Sequence, residues 1–192
     1  ALKGKEAAQV IASLLTKTTK LQEIYINVNF FGDEGALVIA DAVKQNKTLV
    51  ELGFASNGLT CVALTALLDA IAEHPTLKRL DLGRSPSTRV YQVEPNNFEN
   101  EKGAQIITSF LEKNPPLRML NVHGAGLDSK SGQIMKNISR KNTNLIEFVG
   151  FRVPKWARKQ IAANKKQHGT PKVPADVAAI ISVYRTAKKV AG

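Results

Sequence analysis

Apolar and polar positions switch between two periods along the chain. Leu21-x-x-Ile24-x-Ile26, Leu49-x-x-Leu52-x-Phe54 and Leu77-x-x-Leu80-x-Leu82 carry the two-residue period of short strands with one buried face. Runs at helical spacing follow them, such as Leu37, Ala40 and Val43, or Leu64, Leu67, Leu68 and Ile71. The three strand-like segments start 28 residues apart. The pattern returns as Leu117-x-x-Leu120-x-Val122 and Leu145-x-x-Phe148, again 28 apart, with 40 residues between Leu77 and Leu117. The helical halves keep the same register: Gly35 aligns with Ala63, Gly103 and Ser131, and Asn46 with His74, Asn114 and Asn142. Agreement in both phases excludes coincidence.

One strand and one helix per copy cannot bury an apolar face alone, so neighbouring copies must stack. The expected fold is α/β, a curved solenoid with a parallel sheet inside and helices outside. Its strands should include residues 24–26, 52–54, 80–82 and 120–122. Asn29 and Asn57 fall where an amide side chain can satisfy backbone groups of the turn leaving the strand. Ala125 cannot, which predicts an irregular fourth turn. Residues 1–20 align with the helical half of a copy, Ala7 standing 28 before Gly35. Ala1 begins neither a signal peptide nor an initiator sequence, so the chain reads as part of a longer protein or as opening on an unusual end unit.

On these residues the chain resembles leucine-rich repeats of the ribonuclease-inhibitor type, which also occur in NOD-like receptors and, in divergent form, in tropomodulin. The resemblance spans roughly residues 4–151 and is sharpest from Phe31-Gly32-Asp33-Glu34-Gly35-Ala36 to Asn46-Lys47-Thr48-Leu49. It implies a protein-binding scaffold without catalysis, whose partner is selected by the concave face and adjoining loops, with inhibition by covering an active site as one outcome. The 12-residue excess in the third copy and the unmatched C-terminal segment depart from that pattern.

Residues between the apolar strand positions should face the concave side. They form three columns: Glu23, Glu51, Arg79, Met119 and Glu147; Tyr25, Gly53, Asp81, Asn121 and Val149; Asn27, Ala55, Gly83, His123 and Phe151. From these, Tyr25, Arg79, Asp81, Met119, Asn121 and His123 are the candidate partner-binding residues, a mixture of aromatic and polar anchors. The excess segment from Arg84 to about Asn100 adds Arg84, Arg89 and Tyr91. A long insertion on a regular stack is more often functional than idle. Alternatively, Tyr91 and Phe98 merely cover the core's edge.

Composition narrows the classes. The 192 residues, 43% hydrophobic and 22% charged, suit one folded domain. Charge divides the chain into 1–151 and 152–192: the latter holds 10 Lys and Arg against Asp176 alone, out of a net charge of +11. In it, Trp156 is expected to close the last repeat. A linker at Gly169 to Pro174 precedes a helical pattern of Val177, Ile180, Ile181, Tyr184 and Ala187, with Asp176 at its start. This basic helical segment could act as a C-terminal cap or hold an anionic membrane or nucleic acid, making the protein a peripheral adaptor.

One cysteine, Cys61, favours a cytoplasmic setting, which for a bacterial effector means the host cytosol. The repeats could also belong to a larger enzyme. Within this chain catalysis finds no constellation: His74 sits at a helix end where its counterparts are asparagines and reads as a cap rather than a base, His123 lacks a nucleophile, and Cys61 is 13 residues from His74. Gly83-Arg84-Ser85-Pro86-Ser87 lacks the lysine and glycine spacing of a phosphate loop. No cofactor, metal or small-molecule substrate is expected.

Overall fold

The computed structural model describes residues 4–128, 130–131, 142–150 and 155–169. Helices α1 (Gly4–Lys17), α2 (Gly32–Gln45), α3 (Cys61–Ile71) and α4 (Glu101–Glu112) alternate with strands β1 (Glu23–Tyr25), β2 (Glu51–Gly53), β3 (Arg79–Asp81) and β4 (Met119–Asn121), and β5 (Glu147–Val149) and helix α5 (Lys155–His168) complete the described elements. The five strands form one parallel sheet in sequence order, with Ile24, Leu52, Leu80, Leu120 and Phe148 in a single row. Parallel neighbours need a crossover of a dozen residues or more, and the intervening helices supply it for the first four strands. This α/β arrangement is consistent with a leucine-rich-repeat-like fold.

Each strand begins one residue before the expected position. The expected last residues still pair, because Ile26, Phe54, Leu82 and Val122 donate their amides to Gly53, Asp81, Asn121 and Val149. Leu49, Leu52, Phe54, Leu77, Leu80, Leu82, Leu117, Leu120 and Val122 are buried in one core with Ile39, Val43, Leu64, Leu67, Ile71, Ile107 and Leu111 from the helices. Phe31 meets the Phe54 ring edge to face, centroids 5.5 Å apart. Leu37 departs from its expected core place. It is 41% exposed, and Ala36 and Ile39 take the inward side of α2 beside Ala40 and Val43.

Amide ladders fasten one repeat to the next. Asn57 Nδ2 donates to the carbonyls of Ile26 and Ala55, and its Oδ1 accepts the amide of Asn29. Asn96 continues this ladder: its Oδ1 accepts the amides of Asn57 and Leu59, and its Nδ2 donates to Phe54 and Leu82 carbonyls. The insertion is therefore narrower than expected, because Asn96 and the fully buried Phe98 have already rejoined the repeat pattern. Phe98 is a core residue and not an edge cover. One excess residue remains before α4, where Glu99 and Asn100 both take positive φ. At Ala125 the expected irregularity is not seen in the backbone: Gly124 and Gly126 are left-handed, as Ser56 and Gly58 are at the corresponding positions around Asn57.

At the helix ends, Asn46 Oδ1 accepts the amides of Thr48 and Leu49 while its Nδ2 donates to Leu15 O at 2.7 Å. Asn142 repeats this with Leu145 N and Leu111 O. His74 Nδ1 accepts the amides of Thr76 and Leu77, so its ring caps a turn. Asn114 departs from the column: at φ 53 it turns toward the next repeat, where its Oδ1 accepts Thr143 N.

Helix α5 lies against the final repeat. Trp156 and Ile161 pack on the core, Ala157 is buried, and the buried Asn164 donates to the carbonyls of Asn142 and Leu145. Beside Trp156 the polar contacts come from Asn164, a residue that periodicity gave no reason to select. Phe151, Pro154, the linker from 170 on and the 177–187 helical pattern lie outside the described residues.

Candidate protein-binding face

Leu52, Leu80 and Leu120 turn toward the helices, which leaves the alternate strand residues on the open side of the sheet. Two side-chain groups form there. In the first, the Tyr25 ring lies over Gly53: a Cβ at that glycine would stand 2.7 Å from the ring. Tyr25 donates its hydroxyl to Glu23 Oε2 at 3.2 Å, and Arg79 Nη1 meets Glu51 Oε2 at 3.0 Å. Burial first, then the Glu51 and Glu23 charges, push the Tyr25 hydroxyl far above its ordinary pKa. Burial likewise raises the Glu51 carboxyl, and Arg79 pulls it back.

The second group lies two strands along. Asp81 Oδ1 accepts the Gly83 amide at 2.9 Å, the Asn121 amide lies over Gly83, and Asn121 Oδ1 accepts the His123 amide at 3.0 Å. Burial raises the Asp81 carboxyl, and its hydrogen bonds with Gly83 and Asn121 lower it. Met119 sits half-buried between Arg79 and Glu147 in register. Arg84 donates its amide to His123 O and packs against Gly124. Glycines at 53 and 83 thus make room for the large side chains of adjoining strands.

The insertion is built as a fixed projection. Ser85 caps a 3-10 turn at Pro86–Thr88, Thr88 Oγ1 meets Ser56 Oγ at 2.6 Å, and the Ser85 amide donates to the same Ser56 oxygen. Gly58 donates its amide to Glu94 O, closing the segment against the preceding repeat. These ties lean the loop toward the second repeat. Its tip is Arg89, Val90 and Tyr91, with Val90 77% and Tyr91 65% exposed.

The structure therefore brings Tyr25 and Arg79 into one cluster and Asp81, Asn121, His123 and Arg84 into another, with Met119 between them and Arg89 and Tyr91 on the tip. Sequence reasoning placed Glu23 and Glu51 in the right column without selecting them. The burial that makes Glu51 depend on Arg79 becomes visible only with the sheet assembled. Val90 was also missed, although a Val-Tyr pair among polar loop residues was a usable signal.

Chemistry elsewhere is sparse. Cys61 is buried at the start of α3, its Sγ donating to Phe98 O at 3.1 Å, and burial pushes its thiol pKa up. Among the described residues no group of three or more His, Cys, Asp or Glu is placed to hold a metal ion. No described helix is long and apolar enough to cross a membrane.

No family model matches the chain. It is 28% identical over 107 residues to protein NLRC5 of Mus musculus, covering 54% of this chain and 6% of that protein. It is 24% identical over 140 residues to RAN GTPase-activating protein 2 of Arabidopsis thaliana, covering 64% of this chain and 25% of the relative. The chain thus matches only a small part of either protein. A solved structure of leiomodin-1 actin-binding site 2 superposes with a TM-score of 0.47 at 16% identity, covering 95% of this chain and 82% of that one. The similarity to NLRC5 and RAN GTPase-activating protein 2, both leucine-rich-repeat proteins, suggests repeats of that kind in this chain.

Proposed function

We propose that this chain is a non-enzymatic interaction module of the ribonuclease-inhibitor type of leucine-rich repeat. In this reading the repeats form a solenoid closed by α5 that holds a protein partner on the open face of its sheet and on the Arg89–Val90–Tyr91 tip. The observation that carries the reading is the tip itself. Hydrogen bonds from Ser56, Thr88 and Gly58 fix the loop, yet two large apolar side chains at its end have no cover. Ordering a projection only to expose valine and tyrosine to water is unfavourable unless another surface covers them.

The sheet alone is three residues wide, narrow against the roughly 800 Å² per partner that a specific interface needs, so the tip would extend it. Occlusion of a partner's active site would follow from such a grip. The leucine-rich-repeat character of the relatives supports a protein partner, and the name of RAN GTPase-activating protein 2 suggests a GTPase surface as a starting probe. Pull-down with mass spectrometry identifies the partner, after which a photo-crosslinker at position 91 is compared with one at Lys44 on α2. Crosslinking from 91 and not from 44 is expected. The reverse would put the interface on the helices.

A further inference from the structure

Helix α5 carries a row of cations that the protein-binding reading does not use. Its inner side is occupied by Trp156, Ala157, Ile161 and Asn164, which pack on or bond to the final repeat. Its outward side is Lys155, Arg158, Lys159, Lys165 and Lys166, all exposed, around Ala162. At about 100° and 1.5 Å per residue, these six positions occupy an arc of roughly 120° and a length of about 16 Å. Arg158 and Lys165 stand in one row, Lys159 and Lys166 in a second, and Ala162 lies between the rows. The helix holds no acidic residue to neutralise them.

We propose that the outward face of α5 binds the phosphate backbone of duplex nucleic acid without reading its sequence. Two rows of cations separated by a small residue fit a groove bordered by two phosphate strands. A membrane-surface helix would need apolar side chains free to enter the acyl boundary, and the apolar side of α5 is already covered by the repeats. A protein interface would need an aromatic or large aliphatic anchor at its centre, where this face offers only Ala162. Lysine and arginine contacts to phosphate set position and not base preference. The adjoining edge adds like charge. His168 Nε2 meets Thr143 O in the turn entering β5, and on the same edge Lys78 and Arg118 stand just before β3 and β4, Arg118 N donating to Lys78 O at 2.8 Å. Burial and the Arg118 charge both lower the Lys78 pKa, a repulsion that an anion would relieve.

The test uses the full chain and a short labelled DNA duplex, with anisotropy followed between about 50 and 200 mM salt. Replacing Arg158, Lys159, Lys165 and Lys166 together by glutamine should weaken binding at least tenfold and lower the log–log salt slope by roughly 3 to 4. These side chains are exposed, and circular dichroism checks that the fold survives. A matching variant with glutamine at Lys172, Arg185, Lys188 and Lys189 should lose less. If the α5 variant binds the duplex like the unmodified chain, or if the tail variant accounts for the loss, the assignment fails. It also fails if the unmodified chain binds phosphatidylserine vesicles and leaves the duplex free, which would make a membrane the occupant.

Discussion

Arg79 reaches across from β3 to hold Glu51 of β2 at 3.0 Å, and the pair lies almost shielded from water on the open face of the sheet. Burial raises the Glu51 pKa and Arg79 opposes it, so the two side chains form one electrostatic unit. Removing one partner strands the other charge. Arg79→Met should destabilise the chain by about 3 kcal/mol at neutral pH, measured by urea unfolding. Glu51→Gln in addition should recover most of that loss, a coupling that a double-mutant cycle reads directly. The sign with pH is fixed. A carboxyl whose folded pKa is raised is favoured when protonated, so the Arg79→Met deficit should shrink as pH falls through the raised Glu51 pKa. A deficit that is flat with pH would remove Glu51 from the account.

His74 stands where other repeats place Asn46 and Asn142. Its Nδ1 accepts two backbone amides, which requires that nitrogen to be unprotonated, and its buried Nε2 makes no well-formed hydrogen bond. Burial, then Lys47 and Lys78, lower its pKa, against a smaller upward pull from the Val43 and Asn46 carbonyls. For a histidine whose folded pKa lies below its unfolded value, the stabilising neutral form is present above the unfolded pKa. That contribution is lost as pH falls through about 6.5 toward the folded value. His74→Asn should supply both the acceptor and the missing donor, as Asn46 does. Its thermal midpoint should therefore fall less than that of the unmodified chain between neutral pH and pH 5. Parallel pH profiles would show that the ring's protonation is not what weakens the turn.

Gly103 opens the first turn of α4 beside the loop residue Phe98. A Cβ there would stand 2.3 Å from Phe98 O and 2.6 Å from Phe98 Cβ. Helix propensity alone favours alanine over glycine by about 1 kcal/mol. The clash with backbone reverses that sign, and Gly103→Ala should destabilise by about 2 kcal/mol by displacing the Phe98 segment from the core. A gain in the midpoint of chemical denaturation would show that the segment yields freely.

These residues also show what the sequence discloses and what it withholds. The repeat frame located the first four strands to within a residue, because burial of every leucine row depends on that spacing. It also marked His74 as a cap, since its column is otherwise asparagine. The insertion was harder. Asn96 and Phe98 restore the ladder and core after 11 added residues, and Glu99 adds one more, so a single count of 12 hid two separate events. Leu37 was misplaced because Leu37, Ala40 and Val43 fit helical spacing as well as the true buried set. Helix rotation depends on the neighbouring helices, which one helix's pattern does not contain. Exposure at Val90 and the shielding of Glu51 arise from chain segments far apart in sequence.

Asn164 gives the last test, and it bears on how the C-terminal segment can be studied. Its Nδ2 donates to Asn142 O at 3.1 Å and to Leu145 O at 2.8 Å, and Gln160 Nε2 donates to its Oδ1. Asn142 in turn bonds to Leu111, so the chain of amides runs from α5 through the fifth repeat to α4. Asn164→Ala would leave two carbonyls and the Gln160 amide without their partner in a buried place, a loss of about 2 kcal/mol. Asn164→Asp would keep the Gln160 bond but replace the donor by an acceptor facing two carbonyls, and should be worse than alanine. Hydrogen exchange at Leu145 and Ile146 is the sensitive readout, since both amides lie in the repeat that α5 covers. Faster exchange there with unchanged protection at Leu52 and Leu80 is expected. Equal loss across all strands would mean that the stack unfolds as one unit. Cutting the chain before Lys155 would then be no neutral way to remove its basic charge, and side-chain substitution on the outward face of α5 is the cleaner route.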